Sequence, residues 1–152
     1  MYAKLIRLLL ALAPALATGQ CPEFQLTDLH ALQRASLDDK SEHIKAQGFD
    51  LRSSFVQNSE TIYSYSKCWN SNYGDKSVFE QLIWWNVHRN SITFMTLNES
   101  HFKSLRSSII NRHGAKTVTE NPDFYLGQIF KYNFGSRRVD GFEYFSIQIS
   151  FR

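Results

Sequence analysis

The sequence predicts a two-layer α+β fold: two helices packed on one face of a mainly antiparallel sheet, in the order α-β-β-β-β-α-β-β-β. Three observations predict it. Apolar residues recur at helical spacing in two segments, and each segment runs into a glycine, Gly48 or Gly114. Elsewhere the period is two: Tyr63, Tyr65 and Trp69 alternate with Ser64, Ser66 and Cys68, and Phe145, Ile147, Ile149 and Phe151 alternate with Tyr144, Ser146, Gln148 and Ser150. The chain also carries 12 Phe and 7 Tyr, side chains suited to a pleated surface.

Residues 1–19 read as a secretory signal peptide. Lys4 and Arg7 precede an apolar run from Leu8 to Ala17, and small residues follow. Cleavage fits after Ala17 or after Gly19, and residues 20–152 then form a single α+β domain. The apolar run is shorter than the roughly 20 residues that span a bilayer, so no transmembrane segment is expected. The protein is expected to be exported to a periplasmic or extracellular compartment, with a bacterial source favoured. Lipid anchoring at Cys21 is disfavoured because Gln20, the residue before it, is not small.

The first helix is expected from Thr27, with Thr27 as N-cap and Leu26 as a staple. Leu29, Leu32 and Ile44 mark its apolar side, and Asp38-Asp39 can divide it in two, with Ser36 capping the second part. Phe49 opens the first strand, with Leu51 and Phe55 on its face. Strands follow over Thr61 to Trp69, Phe79 to His88 and Ile92 to Leu97, the last two joined at the turn Arg89-Asn90. The second helix runs from Glu99 to His113, capped by Asn98, with Phe102, Leu105 and Ile109 on one buried face. The sequon Asn98-Glu99-Ser100 is more simply read as this cap. Three strands complete the chain: Lys116 to Glu120, Phe124 to Phe134 after an Asn-Pro-Asp turn, and Gly141 to Phe151. Both halves repeat helix, glycine and strands, the pattern of an internal duplication.

Charge excludes some functions. Of 17 basic residues, Lys4 and Arg7 belong to the signal peptide, which leaves 17 − 2 = 15 against 14 acids, a net of about +1. That is too little for a nucleic-acid partner. No cofactor motif is present, and no metal-ligand spacing among the five histidines. Cys21 and Cys68 are free to pair in an oxidising compartment or to remain thiols.

Two helices cannot cover both faces of a broad sheet, so one face is expected to be open. Alternation sends Phe142, Tyr144, Ser146, Gln148 and Ser150 outward in the last strand, and Glu80, Trp84, Asn86 and His88 in the third. In the sixth strand Phe124, Leu126, Phe130 and Tyr132 read as buried, with Tyr125, Gly127, Lys131 and Asn133 outside. The candidate binding residues are Tyr63, Tyr65, Trp69, Trp84, His88, Tyr125, Lys131 and Tyr144, extended by the polar loop Trp69 to Ser77. Tyr and Trp offer contact area with a polar handle, which suits a binding module with another protein as partner. The same residues could instead form a second small core. Two other readings stay open: a small secreted hydrolase using His88, Arg89 and Glu80, and a structural envelope protein with no discrete ligand. No catalytic residue is assigned.

The tandem helix-plus-sheet order with an aromatic open face resembles that of the β-lactamase inhibitor proteins. The likeness is of element order over the mature chain, and no residue motif carries it. It implies protein–protein binding and transfers no residue role.

Overall fold

A computed structural model describes residues 21–73, 76–112, 116–118 and 120–152. The expected signal segment and the Gly114 stop lie outside the described residues. Helix α1 (Leu26–Arg34) starts slightly before the expected Thr27 cap. Gln25 stands at its N-terminus, where the Asp28 carboxylate accepts the Gln25 N–H at 3.0 Å. Asp38-Asp39 does divide the first helix: α2 (Lys40–Ala46) is separate. Ser36 closes the joint, its Oγ accepting the Asp39 N–H at 3.2 Å and donating to the Asp39 carboxylate at 2.7 Å. Gly48, at φ +86°, then turns the chain out of α2 in a conformation that disfavours other residues.

Four strands follow, β1 (Asp50–Gln57), β2 (Glu60–Tyr73), β3 (Lys76–Asn86) and β4 (Ser91–Thr96). After α3 (Glu99–Arg112) come β5 (Lys116–Val118), β6 (Asn121–Leu126), β7 (Phe130–Val139) and β8 (Phe142–Phe151). Asn98 caps α3 as expected, its Oδ1 accepting the His101 N–H at 3.0 Å. The protein is thus a mixed α+β fold, with three helices and an eight-stranded antiparallel sheet among the described residues. The order departs from the expected one in two places. The first helix is two, and the expected strand Phe124 to Phe134 is a hairpin, β6 and β7. Gly127 makes that turn: its N–H donates to the Phe130 carbonyl at 2.8 Å, and a Cβ there would stand 3.1 Å from that oxygen. The Asn-Pro-Asp segment is the first part of β6 instead of a turn before it. The expected loop Trp69 to Ser77 is largely strand, because β2 runs to Tyr73 and β3 starts at Lys76.

The sheet order is β1-β2-β3-β4-β8-β7-β6-β5, so the two four-stranded halves meet at the β4–β8 pair. The main core joins the helices to one side of the sheet. Leu29 and Leu32 of α1, Ile44 of α2, and Leu105 and Ile109 of α3 are buried with Ile83, Trp85, Ile92, Phe94, Ile147 and Ile149. Phe24 anchors the N-terminal segment there, stacked on Phe94 with ring centroids 4.8 Å apart. Cys21 is disulfide-bonded to Cys68, with Cα atoms 5.6 Å apart. Cys68 has φ +60°, which interrupts the alternation of β2.

The helix-free face is not flat. A second buried cluster, Val78, Leu82, Met95 and Tyr144, lies there, with Phe79, Trp84, Leu97, Val139 and Phe142 packed against it. The turn Asp140-Gly141 at the tip of the β7–β8 hairpin reaches β1: Arg52 bonds the Asp140 carboxylate at 2.6 Å. In a flat sheet β1 and β8 would stand four strand spacings apart, roughly 19 Å. The sheet therefore curls so that its two halves approach over the helix-free face, as right-handed twist accumulated over many strands allows.

Candidate functional site

Strand register builds the floor of the site. Trp84 on β3 pairs with Thr93 on β4, Thr93 with Gln148 on β8, Gln148 with Asn133 on β7, and Asn133 with Phe124 on β6. Paired residues share a face, so these five side chains form one row across the helix-free face. The row spans four strand spacings, roughly 19 Å. Two clefts open over it and share Gln148 and Arg89: one of about 190 Å³ above Trp84, and one of about 650 Å³ above Asn133 and Phe124.

Cations and amides make up half of the residues that line the clefts. Arg137 of β7 lies over the Trp84 indole, its guanidinium carbon 5.6 Å from the ring centroid. Thr93 and Ser146, both buried and small, occupy the strands between them. Arg89 bonds both oxygens of Glu60 at 2.8 Å, and Asn86 bonds Glu60 at 2.8 Å. These bonds, Arg89 first, hold the Glu60 carboxyl below its usual pKa. Glu60 is thereby committed to Arg89. Arg137 and Lys131 have no carboxylate partner among the described residues. The Trp84 Nε1 is buried without a hydrogen-bond acceptor among the described residues.

The structure distributes the sequence-predicted residues over both faces. Trp84 and Lys131 line the clefts. His88 is exposed in the adjoining β3–β4 turn. Trp69, 60% exposed, packs edge-on against Phe79 and lines a third cleft, of about 390 Å³, with Arg52, Asp140, Phe142 and Tyr144. Tyr144 is on the expected face but only 1% exposed, and its hydroxyl donates to the Phe79 carbonyl at 2.6 Å. Three residues belong to the helix side instead. Tyr65 is 1% exposed in the main core and donates to Ser41 at 3.0 Å, and Tyr63 packs on Trp85. Tyr125 pairs with Tyr132 and packs edge-on against Phe134, under Arg106. For Tyr125 the reason is register. The three-residue turn at Gly127 shifts parity between β6 and β7, so Phe124 shares a face with Asn133, and Tyr125 with Tyr132.

Similarly, an irregularity between Leu51 and Ser53 breaks the expected Leu51–Phe55 face. Leu51 is exposed, and Phe55 packs edge-on against Trp84. The hydrolase candidates are not brought together. Glu80 bonds Asn70 at 2.7 Å, and β3 runs on six residues past it to Asn86, roughly 20 Å at strand rise, before the turn that carries His88. Arg137 and Glu60 are the site residues that sequence reasoning did not select; Arg89 entered it only as a hydrolase candidate and Gln148 only as an outward position. Parity could have found Arg137, which shares its face with Lys131 and Asn133 on β7.

The chain matches no known family model. No curated protein and no solved structure gives a significant match either. The likeness to the β-lactamase inhibitor proteins, drawn from the expected element order, gains no support from these comparisons. Among the described residues, no group of His, Cys, Asp or Glu is placed to hold a metal ion, and no helix is long and apolar enough to cross a membrane.

Proposed function

We propose that residues 20–152 form an exported binding module that holds its partner, another protein, in the groove of the helix-free face. One observation carries this reading: Arg137 lies half-buried on Trp84 at a cleft of about 190 Å³, with its guanidinium unpaired to any carboxylate among the described residues. A half-buried cation without a counter-charge is a cost to the free protein that a ligand can offset. Export is supported by the charged, apolar and small-residue order of the N-terminus and by the Cys21–Cys68 bridge, which suits an oxidising compartment. A sulfur held in that bridge is also not free to carry a lipid. The site is narrower than the aromatic face expected from alternation, because the second core occupies the face's centre.

Two measurements test the reading. N-terminal sequencing of the mature protein should begin at Thr18 or Gln20; an intact Met1 in the recovered protein would remove export. Capture from the host's envelope and culture fluid should retain a protein on the natural chain that an equally stable Arg137→Gln, Lys131→Gln variant loses. Equal retention by both chains would move the site off this groove.

A further inference from the structure

We infer that the groove accepts an extended, acidic segment of the partner protein, its carboxylates bound at Arg137 and Lys131; this rests on the binding-module reading above. Charge points to the ligand's sign. The two clefts hold Arg89, Arg137 and Lys131 against a single acid, Glu60, which Arg89 already neutralises. The mature chain is nearly balanced, so this surplus is a local arrangement and not a bulk property. The guanidinium fork of Arg137 matches a carboxylate's two oxygens, and its place over the Trp84 ring, 5.6 Å from the centroid, holds the cation at the cleft.

Shape points to the kind of ligand. A floor of roughly 19 Å fits about six residues of extended chain. Along that floor the amides of Gln148 and Asn133 can exchange hydrogen bonds with peptide groups, while Phe124 offers apolar contact beside Lys131. A peptide supplies carboxylates, peptide groups and apolar side chains together. An acidic sugar chain supplies the first without the last, so the peptide is favoured.

The test uses the disulfide-intact mature chain, 15N-labelled, with the Trp84 Nε1–H and Arg137 Nε–H signals as reporters. The first probe is a blocked hexapeptide alternating glutamate with leucine. The second is the same peptide with glutamine for glutamate, and the third is a hexamer of galacturonic acid. The first probe should shift both signals saturably, with affinity falling as salt rises, and the glutamine peptide should not. Arg137→Gln should weaken binding at least tenfold, Arg137→Lys should weaken it less, and Arg138→Gln, on the neighbouring residue, should leave it unchanged. The Arg137→Lys arm keeps the test informative if Arg137→Gln melts early. No saturable shift up to millimolar peptide, or equal binding of the glutamine peptide, would overturn the inference. Binding of the galacturonate alone would overturn it in favour of a glycan. If these probes fail while the captured partner still depends on Arg137, the acidic segment falls and the module reading stands.

Discussion

At the scale of single residues, two buried titratable groups set how stability should vary with pH. Lys40 is fully buried and donates to the Leu32 and Gln33 carbonyls at 2.8 and 3.0 Å, satisfying free acceptors at the end of α1. Its burial lowers the amine's pKa from 10.5 to about 8. The unfolded chain therefore binds more protons than the folded one between those values, and stability should rise as pH rises from about 8 toward 10.5. Tyr132, which bonds His30 at 2.8 Å, is shifted oppositely: burial raises its phenol from 10.0 to about 12. The folded chain keeps that proton longer, so its contribution is present below pH 10 and is lost as pH rises toward 12. Urea midpoints measured across this range should climb above pH 8 and turn down beyond about pH 10. Lys40→Met should remove the climb and leave the decline; a climb that survives the substitution would mean another group causes it.

At the scale of elements, turns and the bridge carry separable costs. The β1–β2 hairpin turns on Asn58 and Ser59, both left-handed at φ 51° and 64°, the pattern of a type I′ turn. The β7–β8 hairpin uses the same conformation at Asp140 and Gly141, φ 51° and 86°, and there the second position is glycine. Serine is strained where glycine is not, so Ser59→Gly should stabilise the protein by about 0.5–1 kcal/mol, seen as a higher melting temperature. The Cys21–Cys68 bridge ties the segment before α1 to β2 across a separation of 47 residues. Replacing both cysteines by serine should lower the unfolding free energy by about 2–4 kcal/mol in denaturant titrations. A change below the error of the titration would show that Phe24 and its neighbours hold the terminus without it. These elements also show what was legible beforehand. The Asn98 cap, the break at Asp38-Asp39 and the Gly48 stop depend on neighbours within four residues, and all three stand in the structure. The Gly127 hairpin was missed because its flanking strands read as one continuous aromatic run.

At the scale of the whole molecule, curvature decides which residues are available. Tyr144 has the parity of an outward residue, yet the β7–β8 hairpin folds it onto Val78, Leu82 and Met95. Tyr144→Ser should therefore cost about 3 kcal/mol or more, the range for emptying an aromatic site in a core. A loss under about 1 kcal/mol in thermal or urea unfolding would mean that the helix-free face is open where the structure shows it filled. Arg137, Arg89 and Lys131 lie on different strands or turns, and only the order β4-β8-β7 places them around one floor.

The sequence by itself determined the α+β class, the Asn98 cap of α3, the Gly48 stop and the parity of β8, because each depends on local chemistry or on a period within one element. It left the pairing of Cys21 with Cys68 open, since that depends on where two distant backbone segments meet. Only the tertiary structure decided the strand order, the parity shift at Gly127 and the curl that brings Arg52 to Asp140. Those depend on long-range pairing, and a shift of one residue moves every following side chain to the other face. The same long-range geometry separates the aromatic residues that form a second core from the cations that line the groove.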